Sequence, residues 1–296
     1  MVFLLTACSS NTAIEDTKAT SEPVPEITTE ATESTVMEEV AKVTNATTAP
    51  VEETVTTEVP TEETEATEVP TEETIPFEIV ITPVITEKQT QVTVTTANEF
   101  IAAIAPNTEI IVDADLIDFS KASGYGTASG EYYRWVETFD GPELYITGVS
   151  NLTIRGSGED HNANVLSAVP RYANVLVFEN CSNIWVTGLT VGHTKEPGYC
   201  MGGVLYLLNS QDVLVEDCGL FGCGTIGVSG YSCKKMQIIN NDIYECSVAG
   251  VEFTNCDDVN VDGNTFRDIG GPNFRVYGCG IITCNGERVH DFSPRH

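Results

Sequence analysis

The chain has 296 residues, ten cysteines and a formal charge of -30, with 44 Asp and Glu against 14 Lys and Arg. That excess of acid excludes a nucleic-acid partner held by charge. Beyond the extreme N-terminus, no stretch is long and apolar enough to span a bilayer as a helix.

The chain opens on MVFLLTACSS. Leu5-Thr6-Ala7-Cys8 resembles a bacterial lipobox, in which a signal is cleaved before a cysteine that becomes lipid-modified. The resemblance implies that residues 1–8 are a lipoprotein-type signal. It also implies an exported chain, anchored through Cys8 to the outer face of the cytoplasmic membrane. The run before Cys8 is shorter than a full signal peptide and has no basic residue; either the start is truncated or Cys8 is incidental. Residues 9–76 are rich in Thr, Glu, Val, Ala and Pro, and TEVPTEET occurs twice, at Thr57–Thr64 and Thr67–Thr74. Such a segment buries too little apolar surface to offset its ordering entropy, so it reads as a disordered, charge-extended tether. A flexible spacer of this length spans about 45 Å.

Residues 77–296 read as the folded domain. TTANEFIAAIA predicts a short amphipathic helix, with Thr96 and Glu99 at capping-box spacing and Phe100, Ile101 and Ile104 on the apolar face. TEIIVDADLIDF reads as the first strand or strands. Gly124–Leu144 reads as a long aromatic loop, which either folds over the cap or supplies stacking residues to a sugar site.

From there the chain repeats. VEFTNCDDVNVDGNTF (Val251–Phe266) aligns without gaps on Val228–Ile243 and then on Leu205–Leu220, each 23 residues back. Further steps of 29 and 32 reach Leu176–Val191 and the segment starting at Leu144. After it, GIITCNGERV aligns on GVEFTNCDDV at a step of 30. Within each copy apolar residues alternate with polar ones, so each copy is strand, turn, strand, turn. A short-strand period of this length means a solenoid whose coils stack.

The pattern, including Gly-Val-x-x-x-Asn-Cys and Gly-Asn-Thr-Phe, resembles the right-handed parallel β-helix proteins. That group includes pectate lyases, polygalacturonases and the periplasmic copper-maturation β-helices. The resemblance implies an all-β solenoid with an N-terminal capping helix. In this fold an inward asparagine bonds the backbone of the next coil, so Asn180, Asn209, Ser232 and Asn255 are expected to form a ladder. Cys181, Ser210, Cys233 and Cys256 stack in the neighbouring column, and Cys246 stacks over Cys223. Free cysteines behave there as small hydrophobes. The spacings Cys218–Cys223 and Cys279–Cys284 do not match a zinc site, and no metal is assigned. Asp257 and Asp258 align with Lys234-Lys235 and Gln211-Asp212, which marks a solvated turn. ERVHDFSPRH makes a poor cap, so the C-terminal end is either truncated or a surface for self-association.

Relative to the step of 23, the copies carry excesses of 9, 6, 0, 0 and 7 residues. Placed at one corner, the extra residues form three loops, 159–173, 193–203 and 270–278. These are expected to wall a groove floored by short coils. The walls carry His161, Arg171, Tyr172, His193, Lys195, Glu196, Tyr199 and Arg275. The floor carries Tyr206, Ser229, Tyr231, Glu252 and Thr254. Tyrosines stack on sugar rings, and Arg or Lys pairs with uronate carboxylates. Eliminative cleavage would need a base and cations, for which Lys195, Arg171 and His193 are the candidates. The reading is a tethered surface protein that recognises extracellular polysaccharide without turnover. The alternatives are a lyase or glycoside hydrolase of the β-helix type, with calcium as the cofactor the resemblance implies for a lyase, and a structural scaffold or docking module.

Overall fold

The computed structural model describes residues 88–194, 201–222 and 224–290. Cys8, the tether 9–76, Lys195, Glu196, Tyr199 and Cys223 lie outside the described residues.

Three sheets of nine, six and seven strands run along the domain. Each coil visits the first, second and third sheets in turn. One coil is Gln211–Glu216, Gly219–Phe221 and Ile226–Tyr231; the next is Lys234–Ile239, Asp242–Tyr244 and Ala249–Thr254. Neighbouring coils pair in parallel, Val213 on Met236 and Met236 on Val259 in the first sheet. The alternation read from the sequence sets the interior. Leu207, Val213, Val215, Ile238, Val251, Phe253 and Val261 all point into one continuous buried core. Gly230 sits where the Phe253 ring crosses it, because a Cβ there would lie 2.9 Å from that ring.

The N-terminal end is closed by α1 (Ala97–Ala102), which begins on the expected capping box. The Glu99 carboxylate accepts from the Thr95 and Thr96 N–H groups at 2.8 and 3.2 Å, and these bonds hold its pKa below the usual value. Phe100 is fully buried against Phe119, ring centres 5.2 Å apart. A strand the sequence reading missed, Thr90–Val94, pairs with Thr108–Val112 and forms the first edge of the first sheet. At the other end Glu287–Arg288 folds back antiparallel on Ile282–Cys284, so this segment partly covers its own sheet.

Two expectations need correction here. Gly124–Leu144 is not a loop throughout. Tyr133–Glu137 is a strand antiparallel to Pro142–Thr147, and Trp135 packs edge-on against Tyr125 at 4.9 Å. The ladder is also displaced by one residue. Asn180, Asn209, Ser232 and Asn255 have φ of 54°, 48°, 53° and 53°, and the three asparagines are exposed. Asparagine tolerates this left-handed conformation. It turns the chain so that the following residue, not the asparagine, points inward.

The ladder is therefore made by the buried Cys181, Ser210, Cys233 and Cys256 and the half-buried Cys279. The Ser210 hydroxyl accepts the Cys181 N–H at 3.0 Å, and the Cys233 thiol accepts the Ser210 N–H at 3.4 Å. Cys256 and Cys279 repeat the contact at 3.4 and 3.3 Å. The Cys233 and Cys279 thiols also donate back, to Leu207 O and Phe253 O at 3.3 and 3.4 Å. An asparagine ladder does exist, one corner further on. Asn241 accepts the Cys218 N–H at 3.0 Å and donates to Val215 O at 3.0 Å, and Asn264 accepts the Asn241 N–H at 2.9 Å.

Burial raises the thiols of Cys181 to about 11 and of Cys218 and Cys246 to about 12, from an ordinary 9.0. Thiols that titrate higher when folded contribute stability that is complete below pH 9. That stability drains as pH rises through the folded values. The melting temperature is thus predicted to fall on alkaline titration above about pH 9. Asn241→Leu, which orphans the Cys218 N–H, is predicted to cost about 1–3 kcal/mol in denaturant unfolding. Cys233→Ser, which copies the Ser210 rung, is predicted to cost less than Asn241→Leu in the same measurement.

Candidate functional site

Parallel register places the outward side chains of the third sheet in two columns. One runs Tyr145, Val177, Tyr206, Ser229, Glu252, Arg275. The other runs Thr147, Glu179, Leu208, Tyr231, Thr254, Tyr277. Successive members lie about 4.8 Å apart along the stack. Asn174, Tyr206, Ser229, Gly230, Tyr231, Glu252 and Thr254 line a shallow cleft of about 230 Å³. The floor read from the sequence, Tyr206, Ser229, Tyr231, Glu252 and Thr254, is thus brought together in one place. Tyr231 is the most open of the floor tyrosines, 42% exposed.

The charges on this face are tied to one another. Glu252 meets Arg275 at 3.1 Å, and the same guanidinium donates to the Tyr277 hydroxyl at 2.8 Å. Arg134 makes a two-pronged contact with Glu179 at 2.6 and 3.1 Å and lies 4.3 Å over the Tyr145 ring. Glu143 is buried and accepts from the Asn174 backbone and side-chain nitrogens at 2.7 and 3.0 Å. Burial, then the Glu143 charge, pushes Tyr145 up to about 12; burial also raises Tyr206. Both phenols are therefore neutral hydrogen-bonding groups at ordinary pH.

The predicted walls are rearranged. Arg275 belongs to the floor. Val251 pairs with Phe274 and Glu252 with Arg275, so the last coil keeps the step of 23 residues seen between Cys256 and Cys279. The step of 30 arose because the strand Ile282–Cys284 belongs to the first sheet, paired with Val259–Val261. The segment 270–278 therefore contains a third-sheet strand and carries no insertion. The extra residues of the first long coil are also split between two corners. His161 lies between the first and second sheets, its carbonyl accepting from the Thr190 hydroxyl at 3.1 Å and its ring against Gly219. It is not brought to the cleft.

Arg171 and Tyr172 stand at the second corner, on the loop that leads to Asn174. The Asp140 carboxylate accepts both of their N–H groups, at 2.7 and 3.0 Å. The Tyr172 ring packs at a tilt against the exposed Phe139, ring centres 4.8 Å apart. The Arg171 carbonyl accepts from Met201 and Gly202, both at 2.8 Å, which joins this loop to the next coil.

His193 is a correction of role. It is buried, with Nδ1 2.9 Å from Gly222 O and Nε2 2.8 Å from Ala173 O. Both ring nitrogens face carbonyls of neighbouring coils, so the imidazole staples the corner and has no nitrogen to offer a substrate proton. Arg134, Glu143, Asn174, Glu179, Tyr145 and Tyr277 were missed from the sequence. The column alignment offered a signal for Tyr145, which occupies the position of Tyr206. Among the described residues no group of three or more His, Cys, Asp or Glu could hold a metal ion. His193→Ala, which removes the ring set between the two carbonyls, is predicted to lower unfolding free energy by about 1–3 kcal/mol. An unchanged denaturant midpoint would contradict the staple.

A family model described as the right handed beta helix region matches residues 136–291. A search of curated proteins returns no match. Among solved structures, an alginate lyase from Paenibacillus sp. str. FPU-7 is 15% identical, with 64% of this chain and 65% of that chain covered and a TM-score of 0.40. A pectate lyase from Paenibacillus sp. 0602 is 8% identical over 70% of this chain and 80% of its own, with a TM-score of 0.37. The A-module of a mannuronan C-5 epimerase from Azotobacter vinelandii is 14% identical over 60% and 62%, with a TM-score of 0.25. Identities and scores of this size say nothing about activity. The family match covers more than half of the chain, and its coils, corners and three parallel sheets agree with it: the protein belongs to the right-handed β-helix family.

Proposed function

We propose that the chain is exported, held at the outer face of a bacterial membrane by a lipid on Cys8, and uses the third-sheet face to retain extracellular polysaccharide without turnover. The observation that carries the reading is the cleft itself. Tyr206 and Tyr231 stand there on adjacent coils in neighbouring columns, flanked by Ser229, Thr254 and the Glu252–Arg275 pair. Phenol rings offer flat faces to the C–H side of a sugar, and the hydroxyls and the carboxylate take its O–H groups. The rise of about 4.8 Å per coil is of the same order as one sugar ring, so successive coils can meet successive sugars. The Thr/Glu-rich tether would hold this face away from the membrane.

Two measurements check the reading. Equilibrium binding of the full chain to a panel of oligosaccharides is predicted to weaken about 10-fold or more in Tyr206→Ala with Tyr231→Ala, the equivalent of 1.4 kcal/mol. Both substitutions are outward-facing, so the melting temperature should stay close to that of the parent. Incubation with the same glycans, with calcium and with chelator, is predicted to give neither unsaturated uronate absorbance nor new reducing ends. Turnover on either readout contradicts retention alone and makes the chain a lyase or a hydrolase.

A further inference from the structure

The charges on the third-sheet face reveal which glycan it suits. Two guanidiniums have been placed there, and both are closed. Arg134 is held by Glu179 through two bonds and by the Tyr145 ring. Arg275 is held by Glu252 and by the Tyr277 hydroxyl. On the rim, Arg171 is engaged as well. A sugar carboxylate arriving at the cleft would have to displace Glu252 from Arg275. It would then lie beside the carboxylate it had displaced. Like charges brought together on a partly desolvated face cost free energy. The third carboxylate on this side, Glu143, is buried and takes its hydrogen bonds from Asn174. Among the described residues of the sheet face itself, three carboxylates stand against two guanidiniums, within a chain of formal charge -30. The long-range field opposes a polyanion before contact is made.

What the cleft does offer is uncharged or acceptor chemistry. Tyr206 and Tyr231 present rings and phenol hydroxyls; Ser229 and Thr254 present hydroxyls. Glu252 keeps acceptor capacity beyond its single contact with Arg275, which suits a sugar hydroxyl. Beside the cleft, the tilted pair of Tyr172 and Phe139, the latter 85% exposed, extends the aromatic surface.

We infer that the site selects a neutral glycan, one without carboxylates, over a polyuronate. This rests on the glycan-retention reading above and narrows it to a substrate class. The test measures affinity of the full chain for cello-, xylo- and manno-oligosaccharides and for oligogalacturonate and oligoalginate of matched length, at low and high salt. The best neutral ligand is expected to bind at least about 10-fold more tightly than either uronate, with the gap widest at low salt. Glu252→Gln, which frees Arg275 and removes the repelling charge, is expected to narrow that ratio several-fold, with folding checked by melting. A polyuronate that binds as tightly as the best neutral ligand overturns the selectivity and leaves glycan retention standing. Binding to neither class overturns retention, and selectivity with it.

Discussion

Every corner of a parallel coil breaks the strand ladder and leaves backbone N–H groups facing the core. There they cost free energy unless something meets them. The rest of the structure depends on how this chain meets them. At one corner a thiol or hydroxyl from the next coil accepts the amide, in the column from Cys181 to Cys279. At the next corner Asn241 and Asn264 do the same. Both devices work only when equivalent residues stack directly, which holds the last coils to one step. That explains why the cysteines cluster in the coiled part and why most of the described thiols are buried.

A fixed step has a functional consequence. Once the corners lock the register, the outward residues of the third sheet fall into straight columns with no freedom to drift. Tyr206, Ser229 and Glu252 are neighbours because Cys233 and Cys256 are neighbours. The face is thus preorganised, and its ion pairs add to this by fixing the long side chains. Binding to such a surface loses less side-chain entropy than binding to a mobile one. The His193 staple extends the same rigidity to the corner from which the rim loop departs.

Much of this was legible in the sequence. The period of two and the recurring step gave the coil, Thr96 with Glu99 gave the cap, and the stacked columns gave the thiol ladder and the cleft floor. What was not legible has a common cause. An alternating pattern does not reveal where a residue adopts a left-handed turn. Asn255 and its equivalents were therefore expected inward, when Cys256 takes that place. The last step was misread for a similar reason. Ile282–Cys284 has the same apolar alternation as a third-sheet strand but lies in the first sheet. Pairing across distance was hidden as well. Nothing local joins Arg134 to Glu179, or says that His161 sits a corner away from Tyr172. Tyr206 and Tyr231 needed only the alternation, and they were found; Tyr145, Tyr277 and the ion pairs beside them needed the register.

The central claim is that glycan lies along the third-sheet face. Hydrogen–deuterium exchange of the full chain, with and without a saturating neutral oligosaccharide, tests it most directly. Protection confined to Leu205–Leu208, Ile226–Tyr231, Ala249–Thr254 and the loop bearing Tyr172 is the result the account predicts. Protection centred on the first or second sheet, with these strands unchanged, would contradict it.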